Sequence, residues 1–317
     1  MKKLVFLIYC TVPILCYPQV QHHTPKVKLA IETYAFLKGQ SAALKMIALQ
    51  FPALKSDVAD VEKSSGILFG RAERNIERFL EDELGNSGLT FLRDRIDSLL
   101  IDQLKNPIEK EKYALDFLRK IRDRSRFSPH TVLLKEILSF AYHDTPHQEI
   151  TDGHHKIFTT EGHPKAQEAI LKVPIPKSWC AEEATMPETI QQFTSHCGKG
   201  DEKILIVVYD LPAEESHIIL DKKSISEMIP PESNLIRTDT VTIDGRPGMM
   251  IEVEETLNST DNKMKIRMLQ FMFTQKRKLF CLQGSIGPVE ANKNLEFQIK
   301  KYEPLFRLIA ASTQIDN

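Results

Sequence analysis

The sequence has few of the features that mark an enzyme or a nucleic-acid-binding protein. Its formal net charge is −1 over 317 residues, so no strong electrostatic field favours nucleic acid or an anionic membrane. It contains no C-x-x-C pair and no H-E-x-x-H sequence, two patterns typical of zinc sites. The serine of GSIG, Ser285, lacks the G-x-S-x-G spacing of a nucleophile elbow. These absences favour a protein that is not an enzyme and does not bind nucleic acid.

The start of the chain has the pattern of an export signal. MKKLVFLIYCTVPILC has two lysines followed by an apolar run from Leu4 to Leu15, the layout of a secretory signal peptide. The run is too short for a spanning helix, which needs about 20 apolar residues. We predict that residues 1–18 are a signal peptide and that the protein is exported to the periplasm or beyond. The cleavage position and an alternative in which Cys16 carries a lipid stay open.

Only three cysteines lie beyond this leader. Cys180 and Cys197 occur in polar, turn-rich sequence, and an oxidising compartment favours a disulfide between them. Closing so short a loop stabilises the fold by about 3 kcal/mol in the chain-entropy account. Cys281 lies in the apolar run KLFCLQG and is expected to be a buried thiol. In the alternative, all three cysteines are reduced and packed in the interior.

Residues 24–145 predict an all-α domain. Apolar residues recur at helical spacing in SGILFGRAERNIERFLEDEL, and the glycine at Gly85 ends that pattern. Further helices are predicted up to Asn106, after Ser128, and as two short helices separated by Gly39. Short links between amphipathic helices favour antiparallel packing. The sequence leaves open whether the domain is a bundle or a solenoid of helical hairpins.

Histidines are concentrated between the two halves, in residues 146–164. Imidazole and carboxylate groups suit Zn or Cu, so His147, His154, His155 and His163 are candidate metal ligands. Their spacing matches no known metal cage. The other interpretation is a polar linker that starts a β-hairpin, since the stretch after His155 is strand-like and is followed by a turn-like sequence.

Residues 165–317 change to the pattern of β-strands. Several β-branched or alternating runs are bounded by turns, and Asp244-Gly245 is typical of a hairpin. A final helix is predicted within ANKNLEFQIKKYEPLFRLIAAS. This order predicts an α+β domain with helices against an antiparallel sheet. Trp179, the only tryptophan, is expected to anchor the core rather than to stack on a ligand.

Four segments of this half together resemble the PsbP-like family, which includes bacterial envelope proteins of the DcrB type. They are VPIPKSW, VTIDGRPGMMIEVEE, KMKIRMLQFMFTQKRKLFCLQGSI and YEPLFRLIAAST. The resemblance implies an αβα sandwich around an antiparallel sheet and a binding or assembly role without catalytic residues. It does not extend to the helical half.

The sequence thus predicts an exported, non-enzymatic envelope protein that binds or helps to assemble another, unidentified envelope protein. No cofactor is expected. One alternative is a periplasmic protein that binds a metal or small ligand at the histidine-rich junction. Another is a hydrolase whose site is not recognisable. The sequence does not specify the oligomeric state.

Overall fold

The chain folds into two compact units, Met1–His143 and Asp144–Asn317. The computed structural model describes residues 23–125, 131–166, 170–184, 186–211, 220–221, 224–225, 229–230, 233–258 and 263–316. The predicted fold class, an all-α domain followed by an α+β domain, is confirmed. The predicted signal peptide and Cys16 lie outside these residues. No helix within the described part of the chain is long and apolar enough to cross a membrane.

The first unit is helical. Its helices are α1 (Pro25–Gln50), α2 (Lys55–Leu104), α3 (Glu111–Ser125) and α4 (Val132–Ala141), with a 3₁₀ turn at Pro52–Leu54. Their apolar faces meet in one core, in which Tyr34, Ile76 and Phe140 are fully buried. Thr131 begins α4, since its hydroxyl accepts the backbone N–H of Leu134 at 3.3 Å.

The predicted break at Gly39 is wrong. Helix α1 runs through this glycine without interruption, and Gly39 is buried inside it. A glycine within a helix costs only about 1 kcal/mol relative to alanine. Packing on both sides of the position exceeds that cost, because Leu37 and Leu44 are both buried in the core.

Gly85, by contrast, does break a helix. It has φ 71° and ψ 168° inside α2, a conformation in which glycine carries no steric penalty. Arg93, after the break, is 3.3 Å from the carboxylate of Glu77, before it. Glu77 in turn accepts a hydrogen bond from the hydroxyl of Tyr34 in α1. The later part of α2 therefore folds back along the earlier part and along α1.

Within its described residues, the second unit has ten strands and three helical segments whose bounds are defined. The strands are β1 (His155–Thr159), β2 (Ile170–Pro176), β3 (Cys180–Glu182), β4 (Thr189–Thr194), β5 (Glu202–Asp210), β6 (Ser233–Ile243), β7 (Arg246–Asn258), β8 (Lys263–Gln275), β9 (Lys278–Glu290) and β10 (Gln314–Asp316). The helical segments are α5 (His147–Thr151), the single turn α6 (Ser195–Gly198) and α7 (Glu296–Ser312). The stretch 146–164, predicted as a linker and hairpin start, thus contains α5 and β1.

Seven strands form the main sheet in the order β3-β4-β5-β9-β8-β7-β6, and every neighbouring pair is antiparallel. A smaller sheet has the order β1-β2-β10. Helix α7 packs on one face of the main sheet. At Gly284 of β9, a Cβ would lie 2.2 Å from Cγ of Phe306, so the missing side chain lets α7 approach the strands.

The opposite face of the main sheet has its own apolar core. Met249, Met272 and Cys281 lie side by side on β7, β8 and β9, and Ile225 packs in the same cluster. Burial raises the pKa of the Cys281 thiol to about 12, so it stays protonated at neutral pH. Cys281 is the buried thiol that the sequence predicted.

Candidate functional site

The second unit contains a group of buried polar side chains, which we call the polar centre. Its members come from α5, from the turn before β3, from α6 directly after β4, from β5 and from α7. Each is at most 5% exposed. They are Glu149, Ser178, Ser195, His196, Glu202 and Tyr302.

Glu149 ties α5 to the turn after β2. Its two carboxylate oxygens accept the backbone N–H of Ser178 at 2.8 Å and the Ser178 hydroxyl at 2.6 Å. Burial nevertheless raises the pKa of Glu149 to about 7, because desolvation of the carboxylate outweighs these hydrogen bonds. This carboxyl group therefore gains and loses a proton near neutral pH.

A second carboxylate, that of Glu202, accepts a hydrogen bond from the hydroxyl of Ser195. Nδ1 of His196 lies 3.1 Å from the same hydroxyl and 3.7 Å from the carboxylate. Gly200 makes room for this group, because a Cβ there would lie 1.9 Å from Oγ of Ser195. Serine, histidine and glutamate thus form one compact hydrogen-bonded set.

The turn α6 that carries this set has an unusual backbone. His196 and Cys197 have φ 48° and 55°, and Gly198 follows at 86°. The left-handed conformation costs a residue other than glycine roughly 1–2 kcal/mol. Such conformations persist where the surroundings fix them. Here the backbone N–H of Cys197 donates to the carbonyl of Ser178 at 3.0 Å.

Tyr302 of α7 lies near both carboxyl groups. Burial, and then the neighbouring Glu202 and Glu149, raise the pKa of its phenol well above the usual range. The indole of Trp179 packs against this ring with centroids 6.3 Å apart, which agrees with a core role for Trp179. The hydroxyl and imidazole groups of the polar centre are thus buried in the fold and face protein rather than solvent.

Sequence reasoning missed the polar centre. Its members are spread from residue 149 to residue 302, so no local spacing connects them. One signal was available: serine, histidine and two glycines cluster in TSHCGKG, a composition that favours an irregular turn.

The predicted disulfide partners lie in the same corner of the unit. Cys180 is opposite Thr194 in the β3–β4 pairing, and Cys197 follows three residues after Thr194. A Cβ placed on Gly198 would lie 3.9 Å from Cβ of Cys180. Cys180 therefore lies beside the turn that carries Cys197, and the disulfide itself stays a prediction.

Three of the four histidines predicted as metal ligands have contacts of their own. Nδ1 of His155 lies 3.3 Å from the carbonyl of Ile150, and Nδ1 of His163 accepts the backbone N–H of Lys165 at 3.3 Å. The backbone N–H of His154 donates to the carbonyl of Glu149, and His147 Nδ1 is buried. No three His, Cys, Asp or Glu side chains among the described residues are grouped to hold a metal ion. The metal site stays a prediction.

The helical unit exposes several large apolar side chains, and four of them lie near the place where the end of α1 meets the link between α2 and α3. The side-chain amide of Gln50, at the end of α1, donates to the carbonyl of Ile108 at 2.6 Å and accepts its N–H at 2.9 Å. These bonds fix the end of α1 beside the link between α2 and α3. The exposed apolar residues next to them form what we call the apolar end: Leu49, Ile101, Leu104 and Tyr113.

The exposure of the apolar end is large. Leu49 is 80% exposed and Ile101 61% exposed, although both belong to helices that bury other apolar residues in the core. Single exposed apolar residues are normal on a protein surface, but grouped ones mark an interaction surface. The apolar end is therefore the candidate functional surface of the helical unit.

Comparison with known proteins gives no family. No protein-family model matches the chain, and no curated protein matches it.

Solved structures match about half of the chain. PsbP (CyanoP) from Synechocystis sp. PCC 6803 is 13% identical and has a TM-score of 0.33, with 51% of this chain and 93% of that chain covered. LpqN, involved in cell envelope biogenesis of Mycobacterium tuberculosis, is 11% identical with a TM-score of 0.33, covering 55% and 98%. A protein from Bacteroides thetaiotaomicron VPI-5482 is 9% identical with a TM-score of 0.29, covering 46% and 45%. The first carries the PsbP name that the sequence resemblance predicts, but at these identities and TM-scores the likeness carries no argument about family or function.

Proposed function

We propose that this chain is an exported, non-enzymatic envelope protein that binds another envelope protein through the apolar end of its helical unit. The observation that carries the proposal is the exposure of Leu49, Ile101, Leu104 and Tyr113 at one end of the helices. The leader-like sequence at residues 1–18 supports a partner in the same exported compartment.

The chemistry of the apolar end suits protein binding. Fully burying an exposed leucine or isoleucine contributes about 1.5–3 kcal/mol, so a partner that covers several of them gains a useful affinity. Charged side chains stand beside the apolar ones: Asp102 and Lys105 pair at 2.7 Å and are both well exposed. An apolar centre with a charged rim is the usual composition of a protein interface.

The α+β unit has a supporting role in this proposal. Its polar centre joins α5, the β3–β4 hairpin and α7 through buried hydrogen bonds such as that of Glu149 with Ser178. These bonds maintain the fold, and the functional contact is made by the helical unit.

Site-specific photo-crosslinking in the native envelope tests the proposal. A photoreactive amino acid replaces Leu49 in the full chain, and the matched control replaces Phe297, which is 74% exposed in the α+β unit. We expect a discrete crosslinked product from position 49 and none of the same mass from position 297. No discrete product from position 49, or the same product from both positions, would overturn the proposal.

A further inference from the structure

Strand β6 forms one edge of the seven-stranded sheet. Among the residues that the structure describes, it pairs with β7 alone. It is 11 residues long, and Ile236, Thr240 and Thr242 along it are exposed. An edge of this length presents backbone N–H and C=O groups to a further strand.

The sequence of β6 is complementary to itself in charge. In an antiparallel pair of identical strands centred on Thr238, Arg237 of each copy lies opposite Asp239 of the other. Directly opposed residues share a face of the sheet, so these opposite charges meet in both halves of the pair. Centring the pair on Asp239 instead would place two aspartates face to face, which is unfavourable.

The face on which these charges lie favours the same arrangement. Arg237 donates to Glu303 of α7 at 2.6 Å, and Arg307 of α7 donates to Asp239 at 2.7 Å. The Arg237 and Asp239 side chains remain partly exposed, at 38% and 42%. Bringing two copies together about Thr238 joins these ion pairs into one continuous row of alternating charge across both copies.

We propose that β6 of one copy pairs with β6 of a second copy of this chain, antiparallel and with the two-fold axis at Thr238. Ile236 is the extra residue of the bulge between Leu235 and Arg237, so regular pairing about Thr238 is limited to residues 237–239 of each strand. A contact of this length makes a weak dimer, which salt weakens further because its central pairs are charged. This contact uses a different surface from the apolar end and is independent of the proposed function.

Disulfide trapping tests the pairing directly. In the full chain, Thr238→Cys places two thiols opposite each other, with Cα atoms about 5 Å apart, within disulfide range. The matched control is Thr242→Cys on the same edge, where the two thiols would be about 27 Å apart. After mild oxidation, peptide mapping separates the 238–238 crosslink from any crosslink of the native cysteines. We expect the 238–238 dimer in several-fold excess over the 242–242 dimer.

The same assay tests the charge pairing. Asp239→Asn added to Thr238→Cys keeps the size of the side chain and removes its charge, and we expect a several-fold lower yield of the 238–238 dimer. Unchanged circular dichroism would show that the fold is retained. Absence of the 238–238 crosslink, equal yields from Thr238→Cys and Thr242→Cys, or no effect of Asp239→Asn would overturn the proposal.

Discussion

The two units differ in the kind of polar group that they bury. In the helical unit, buried polar groups such as Asn75 are uncharged, and large apolar side chains remain exposed at the apolar end. In the α+β unit, buried ionisable groups such as Glu149, Glu202 and Glu252 lie between the secondary-structure elements. Within the described residues, every buried Asp, Glu, Lys, Arg or His belongs to the α+β unit.

This difference has a physical origin. Helices satisfy their backbone hydrogen bonds internally, so apolar packing alone can join them. The turns and strand ends of the α+β unit leave backbone groups that side chains must satisfy, as Glu149 does for Ser178. Apolar packing therefore holds the helical unit together, whereas the α+β unit combines its apolar cores with buried charged groups.

The largest effect on the free energy of unfolding is expected where α7 packs on the main sheet. Gly284→Val would place side-chain atoms where Phe306 now packs, so we expect a loss of about 3 kcal/mol or more in the free energy of unfolding. Gly66→Ala in α2 is the matched control, because no atom lies within 4 Å of its Cβ. It should stabilise by up to about 1 kcal/mol, since alanine favours the helix. Urea unfolding measures both, and equal effects would contradict this description of packing.

The predicted disulfide of the α+β unit should have the next largest effect on stability. If Cys180 and Cys197 form a disulfide, reduction should lower the free energy of unfolding by about 3 kcal/mol. The double variant Cys180→Ala/Cys197→Ala should show no change on reduction. Urea unfolding with and without reductant checks this. Alkylation of both cysteines in the native exported protein, seen by mass spectrometry, would show that the disulfide is absent.

The titration of Glu149 in the polar centre should have a somewhat smaller effect on stability. The pKa of Glu149 is raised to about 7 in the fold, so the folded state binds its proton more tightly than the unfolded state does. This contribution to stability is fully present below about pH 4.5 and is lost as the pH rises through 7. The change from pH 5 to pH 8 should be roughly 2.5 kcal/mol.

The variant Glu149→Gln isolates this effect, because glutamine does not titrate. As pH rises from 5 to 8, we expect the wild type to lose stability relative to the variant. Chemical unfolding at both pH values measures it. A difference that does not change with pH would show that Glu149 keeps its usual pKa.

The sequence predicted the elements of the fold better than the sites. Helical spacing predicted α2 and the break at Gly85, and alternation placed Phe271 and Met272 on opposite faces of β8. It failed at Gly39, because packing on both sides overrides the cost of one glycine. It also missed the pairing of Glu149 with Ser178, since contacts between distant residues leave no local pattern.

The smallest stability effect is expected at the apolar end. Ile101→Lys replaces a side chain that is 61% exposed, so the free energy of unfolding should change by less than about 0.5 kcal/mol. Thermal or urea unfolding checks this. A large destabilisation would show that Ile101 serves the core rather than a partner.

The most direct test of the account combines this variant with a crosslinker. Ile101→Lys is introduced into the full chain that carries the photoreactive amino acid at position 49, and crosslink yield in the native envelope is measured together with stability. We predict that the discrete crosslinked product is lost while unfolding is unchanged. A product that persists with undiminished yield in the Ile101→Lys chain would contradict the claim that the apolar end binds a partner.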